Sequence, residues 1–285
     1  MRKLIKNAGT AVITVLCSFL LVSVAIGQNN GAVKLEYKST PKPLSYTSNS
    51  DILQSMDFGG MSMQVGVKII LGTTITGKGK AGENLSLNVR IDTMAQSVDS
   101  PNGSMGGAID AVKGKSFNMV LSPSGKVVDA SEAAKITYTV ENSGETNLGS
   151  SFEGYFVKLP EKAIKPGDTW SSVDSSTTKA AGGITSRITQ ASHKFEGYQT
   201  VDGVECARVT AVLKGTMQQT AQNMGMDILT KGEFTGTGEY LFSIGGGYLV
   251  KETTTLKLNG NIEISGPQSM TAPLVMDMTT VQKLK

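Results

Sequence analysis

The chain has 285 residues, 39% of them hydrophobic and 6% aromatic, with 27 Lys and Arg against 24 Asp and Glu. Three of those bases, Arg2, Lys3 and Lys6, lie at the extreme N-terminus with no acid near them, so the rest of the chain is formally neutral and offers no electrostatic case for binding nucleic acid. Of the two cysteines, Cys17 and Cys206, the first lies in the N-terminal apolar stretch, which excludes a disulfide framework from the remainder and leaves burial to stabilise it.

The N-terminus has the layout of a signal peptide. The basic residues precede an apolar stretch from Ala8 to Ile26 centred on Val12, Leu16, Phe19, Leu20 and Leu21. It closes on Ala25-Ile26-Gly27, the small-x-small pattern of a cleavage site, and turns polar at Gln28. Residues 1–27 are therefore read as a signal peptide cleaved after Gly27, and the product as exported, in the periplasm or outside the cell. An uncleaved anchor is the alternative, because the stretch is nearly long enough to span a membrane. With cleavage, no transmembrane segment remains. Leu16 before Cys17 does not fit a lipidation site, which needs a small residue there.

Beyond Gln28, period-two alternation dominates. Met61, Met63, Val65, Val67 and Ile69 alternate with Ser62, Gln64, Gly66 and Lys68, as in a half-buried strand. Leu85, Leu87, Val89 and Ile91 repeat the pattern. Phe117, Met119 and Leu121 lead through Ser122-Pro123-Ser124-Gly125 to Val127, which reads as a hairpin. Further hairpins are expected around Asp202-Gly203 and Gly245-Gly246-Gly247, and the last strands around Ile262–Ile264 and residues 275–284. Short helices are expected at 105–113, 130–136 and 216–229, and a surface loop at 141–151. The resulting fold class is mainly β: curved antiparallel sheets or an incomplete barrel, with a few short helices.

Val112-Lys113-Gly114-Lys115-Ser116-Phe117 resembles Leu229-Thr230-Lys231-Gly232-Glu233-Phe234, and each is followed by strand, glycine turn and strand. This suggests two related β-rich halves, 28–158 and 159–285. The alternative is that hairpins with glycine turns resemble one another by chance.

Catalytic motifs find little support. Gly77-Lys78-Gly79-Lys80-Ala81-Gly82 has the letters of a dinucleotide fingerprint, but a strand pattern follows where a helix is required. Gly114-Lys115-Ser116 lacks the earlier glycine of a phosphate loop, since Ile109 stands there. His193 is the single histidine, and no G-x-S-x-G elbow accompanies it. A Cys206–His193 nucleophile pair would need the Asp202-Gly203 hairpin to bring the two together. Otherwise His193 belongs on a solvent face and Cys206 in the core. One His and one Cys do not make a zinc site. Paired acids for glycoside chemistry are not excluded by spacing, but aromatic sugar platforms are few. No catalytic, cofactor or metal site is predicted.

Methionine is the unusual feature, with 13 in the chain. Soft, unbranched side chains suit a cavity for ligands of varied shape. The candidate ligand-binding residues are Met61, Met63, Val65, Val67, Met119, Met224 and Met226, with ordinary core packing as the alternative.

Phe152-Glu153-Gly154-Tyr155-Phe156-Val157-Lys158-Leu159-Pro160, followed by Pro166-Gly167-Asp168-Thr169-Trp170, resembles a segment of a family of exported bacterial proteins of unknown function. There a Leu-Pro-x-Lys stretch leads into Gly-Asp-x-Trp. The resemblance implies two β-rich halves joined by this segment. Physically, Pro160 and Pro166 stiffen a connector, Gly167-Asp168 makes a turn, and Trp170 anchors the next strand. The architecture also resembles the periplasmic lipoprotein-carrier fold, an incomplete barrel sheltering acyl chains, although no diagnostic residue matches. Three functions follow in order: an exported, non-catalytic carrier of an amphipathic or lipid-like ligand, a structural or partner-binding envelope protein, and a hydrolase.

Overall fold

The computed structural model describes residues 31–140, 144–180, 183–223, 226–266 and 269–285. The candidate leader and Met224 lie outside these residues. The strands are β1 (Leu44–Phe58), β2 (Met61–Ala81), β3 (Asn84–Ser100), β4 (Gly103–Ala108), β5 (Ser116–Leu121), β6 (Val127–Asp129), β7 (Thr137–Val140), β8 (Gly144–Asn147), β9 (Thr169–Ala180), β10 (Gly183–Val201), β11 (Val204–Asn223), β12 (Met226–Ser243), β13 (Tyr248–Ser265) and β14 (Met270–Leu284). Twelve of them form one antiparallel sheet in the order β6-β5-β3-β2-β1-β14-β13-β12-β11-β10-β9, with β4 also paired to β3. β7 and β8 make a separate hairpin. The sheet is curved and does not close, so β6 and β9 are its edges. The mainly-β expectation is met.

The chain traces two meanders. β1 to β6 step outward to one edge, residues 130–168 cross to the other, and β9 to β14 step back. The last strand then pairs with the first, from Tyr46 opposite Leu284 to Met56 opposite Leu274. Turn chemistry fixes the registers. At the β10–β11 hairpin, Asp202 (φ 49°) and Gly203 (φ 80°) both adopt the left-handed conformation, which matches the twist of a two-residue hairpin.

No α-helix occurs among the described residues. The segments expected to be helical contain only 3₁₀ turns, at Asp110–Val112 and Ala133–Lys135, or strand. Residues 216–223 and 226–229 belong to β11 and β12. The weak helix propensity of their Thr and Gly residues yields to ladder pairing on both sides. The two halves of the suggested repeat are also placed differently: Lys113–Lys115 is a turn into β5, whereas Leu229–Phe234 runs mid-strand in β12.

The larger core lies on the concave face, between the upper strands and the crossing segment. Leu148, Phe152, Tyr155, Phe156, Val157, Leu159 and Ile164 of that segment are all buried. The stretch expected to be a surface loop thus contributes Leu148 and, just beyond it, Phe152 to the core, through a 3₁₀ turn at Leu148–Phe152. Although aromatics are few, they gather here in edge-on contacts: Phe117–Phe152 at 4.9 Å, Tyr155–Phe156 at 5.2 Å and Tyr37–Phe242 at 5.0 Å between ring centres. The N-terminal stretch joins them through a Val33–Ile164 bridge and a hydrogen bond from the Val157 amide to the Tyr37 hydroxyl, 3.1 Å.

The connector behaves as expected. Gly167 takes φ 94°, and its amide donates to the Phe195 carbonyl at 2.7 Å while the Phe195 amide donates to Asp168 at 2.9 Å. Trp170 packs partly buried on the core.

A second apolar cluster occupies the same face of the lower strands. Met56, Phe234, Leu258 and Leu274 are buried there, flanked by Met63, Val65, Met217, Leu256, Ile262 and Met276. All come from β1, β2 and β11 to β14, so the crossing segment does not cover them. Phe234 lies flat over Gly215, where an added Cβ would strike its ring and the Ile188 carbonyl oxygen. Gly215→Ala is therefore expected to destabilise the protein by about 1–3 kcal/mol through overpacking, measured by urea denaturation. An unchanged midpoint would mean that both the Phe234 ring and the β10 backbone at Ile188 shift to admit the methyl.

Candidate functional site

Between the two clusters the concave face forms a groove of about 500 Å³, within the range of small-molecule sites. Its floor comes from the inward positions of β1, β2 and β9 to β14, and residues 150–158 roof it. Where β13 passes beneath the roof the lining is polar. Glu252 faces Tyr240 on β12 and Gln282 on β14, and the latter lies opposite Ser48 on β1. Toward the lower strands the lining changes to Leu213, Leu256, Ile69 and Met278, and Leu256 belongs to the second cluster. A larger depression, about 1040 Å³, lies where the connector meets β9, but it contains no buried ionisable side chain.

His193 is held at one wall. Register places it opposite Trp170 and Ala211, and its ring stacks on Trp170 with centres 5.0 Å apart and planes 12° from parallel. The edge of Tyr240 approaches at 6.2 Å. Nε2 shares a hydrogen bond with the Ser172 hydroxyl at 3.0 Å. His193 Nδ1, Trp170 Nε1 and the Tyr240 hydroxyl are buried without a hydrogen-bond partner among the described residues. The solvent-face expectation for His193 is corrected: it is 7% exposed. Inward positions on β10 alternate, and His193 shares phase with buried Ala191 and Phe195. Burial lowers its pKa to about 4, so the ring is neutral at physiological pH.

Glu252 is the other unusual group. Surrounded by protein but open to the groove, its carboxyl is raised to about 7 by desolvation, against a smaller lowering by the Thr254 hydroxyl, which donates to Oε1 at 3.2 Å. Among the described residues it forms no ion pair. Burial likewise raises the phenols of Tyr37, Tyr155 and Tyr240, and the nearby Glu252 charge adds to each shift. Sequence reasoning missed Glu252. Its signal was an acid in phase with Leu256 and Leu258 on an otherwise apolar strand face.

The sequence-predicted ligand residues do not converge. Met63 and Val65 flank the lower cluster, Val67 is half-buried further up β2, and Met61 is 74% exposed at the hairpin end. Met119 is 1% exposed within the upper core, and Met226 is half-buried at the start of β12. Met224 lies outside the described residues. Cys206 is a free, buried thiol whose pKa is raised by burial and by Glu205. It sits opposite Gln199, whereas His193 sits opposite Ala211, so the hairpin holds the two groups about 17 Å apart along the strands and they form no pair. Among the described residues no three His, Cys, Asp or Glu side chains gather as a metal site, and no helix is long and apolar enough to cross a membrane.

These features define a mainly-β protein built on one open, curved antiparallel sheet with a roofed groove. No protein-family model and no curated protein matches the chain. Two distant likenesses appear among solved structures. Pseudomonas aeruginosa OccK2 (OpdF) in complex with glucuronate is 6% identical over 90% of this chain and 100% of that one, with a TM-score of 0.21. A DUF1329 family protein from Desulfovibrio piger is 11% identical over 81% and 83% of the two chains, with a TM-score of 0.14. Both likenesses are too weak for function to be argued from them.

Glu252 and His193 oppose each other in the pH dependence of stability. Glu252 has a raised folded pKa, so the folded state holds the extra proton and stability falls as pH rises from about 4.5 to about 7. His193 has a lowered one, so stability falls as pH drops from 6.5 to about 4. In Glu252→Gln the first effect vanishes. The variant should exceed the wild type by up to about 3 kcal/mol at pH 7.5, converge with it near pH 4.5, and retain the His193 slope. Urea denaturation at pH 4.5, 6 and 7.5 reads this, and parallel profiles for the two proteins would refute it.

Proposed function

We propose that this is an exported, non-catalytic binding protein of the cell envelope that holds an amphipathic, lipid-like ligand in the groove. The observation that carries the reading is the continuity of the concave strip. A polar pocket under residues 150–158 passes through Leu256 and Met278 into an apolar strip that the crossing segment does not reach, where Met56, Phe234, Leu258 and Leu274 are packed by the curved strands themselves and Met63, Val65 and Met276 at their flank are half-buried. A polar head and an apolar tail would each meet matching surface. Export rests on the layout of residues 1–27.

The second reading is a protein partner at the β9 edge. β9 has no strand beyond it, and Val173 (72% exposed), Ile184 and Ile188 lie on the convex side of β9 and β10. An unpaired edge beside apolar side chains suits strand addition.

Trp170, the single tryptophan, stacks behind His193 and reports on the groove by its fluorescence. Protein from Gln28 to Lys285 should bind dodecan-1-ol with a saturable change in that emission. Met278→Asp should weaken binding by about tenfold or more, because a charge then sits in the apolar wall. Absence of saturable dodecanol binding, with capture of an extended peptide at β9 instead, would favour the second reading.

A further inference from the structure

We infer that the polar part of the groove, beneath residues 150–158, receives a primary ammonium group of its ligand, with Glu252 as counter-ion and Tyr240 beside it. The identity of the ligand's polar group rests on the binding reading above.

Glu252 forms no ion pair among the described residues, and its one side-chain hydrogen bond comes from Thr254 at 3.2 Å. A carboxylate so placed needs either a proton or a cation. The Tyr240 hydroxyl, on a residue only 3% exposed, borders the same groove and has no partner among the described residues. It stands on the strand neighbour directly opposite Glu252. A hydroxyl oxygen and a carboxylate facing one space are two acceptors awaiting a donor. Three phenol rings, Tyr37, Tyr155 and Tyr240, lie close enough to feel the Glu252 charge. Two of these rings, Tyr155 and Tyr240, line the groove; aromatic surface beside an acid favours an organic cation over a metal ion, and among the described residues no acids gather to hold a metal.

The protein's own cations are held elsewhere. Lys158 Nζ lies 4.0 Å from Asp174 and 3.5 Å from the Gly125 carbonyl oxygen, on the β9 side. Arg187 borders the groove near Gly154. Register places Phe195 opposite Val209, Val209 opposite Tyr240 and Tyr240 opposite Glu252. Arg187, on the same strand as Phe195, lines the same groove, but its charge is not among the influences on the Glu252 carboxyl. His193 is neutral at the pH of interest, and the carboxylate of Glu153 on the roof is engaged by Thr178 at 2.8 Å. Among the described residues no cation is paired with Glu252.

An ammonium then exchanges with the proton on Glu252. Alkylammonium ions stay charged below about pH 9, so any pH dependence between 5.5 and 8 belongs to the protein. Dodecylammonium should bind about tenfold or more tightly than dodecan-1-ol at pH 8, with the preference shrinking toward parity at pH 5.5. Glu252→Gln should bring the two affinities to parity at both pH values. In the wild type, carbon NMR of the Glu252 carboxyl should show its pKa falling when butylammonium, too short to reach the apolar face, is added. The inference is overturned if dodecylammonium shows no preference, if dodecanoate binds more tightly than either, or if butylammonium leaves the Glu252 pKa unmoved. Failure of dodecan-1-ol alone would sink the amphipathic reading, while the butylammonium titration still decides the role of Glu252.

Discussion

The structure depends on the pairing of β1 with β14. Each half of the chain is a meander that starts or ends with an unpaired strand, and an isolated curved meander would present two long rows of unsatisfied backbone donors and acceptors. Pairing the first strand with the last removes one such row from each half across eleven residue pairs, from Tyr46–Leu284 to Met56–Leu274. It also makes a single concave surface from residues more than two hundred positions apart. The groove exists because Ser48, Ile69, Glu252 and Gln282 come to share one face.

The crossing segment sets which part of that surface it fills and which part the strands must pack by themselves. Its apolar residues are concentrated between Leu148 and Ile164, and they pack on the upper strands only. The ring contacts from Phe117 through Phe152, Tyr155 and Phe156 to Tyr37 tie the roof to the sheet and to the N-terminal stretch. Below that roof the lower cluster has only its own strands for company. Buried apolar area is thus divided unequally, and the polar groove marks the border between the part filled by the crossing segment and the part packed by the strands alone.

That border also explains which residues were hard to read. β1 and β9 carry the runs Leu44-Ser45-Tyr46-Thr47-Ser48-Asn49-Ser50 and Ser171-Ser172-Val173-Asp174-Ser175-Ser176, which show no apolar alternation. Their inward side chains, Ser48, Ser50, Ser172 and Asp174, line the groove rather than the core, so hydropathy gives no sign of the strand. Glu252 was hidden for another reason. A register shift between Leu241 and Phe242 on β12 lets Lys251 and Leu249 on β13 serve consecutive partners. Leu249, at an odd position, is buried with the core, while Glu252 and Leu256, at even positions, face the groove. A bulge of this kind reverses the phase of a strand, and a period-two reading carried across it assigns the wrong face.

Local chemistry determined the strands with strong alternation, the hairpin turns at Ser122–Gly125, Asp202-Gly203 and Gly245–Gly247, and the stiff connector from Leu159 to Trp170. In each case the conformation is set by a few neighbouring residues: branched or apolar side chains at every second position, left-handed turn residues, or prolines with fixed φ. Tertiary structure alone decided the β1–β14 seam, the extension of β11 and β12 through residues expected to be helical, the burial of Leu148 and Phe152, and the meeting of Glu252, Tyr240 and His193. Those outcomes depend on backbone hydrogen bonds and packing between segments distant in the chain, whose free energies outweigh local preference and leave no periodic trace in the residues they join.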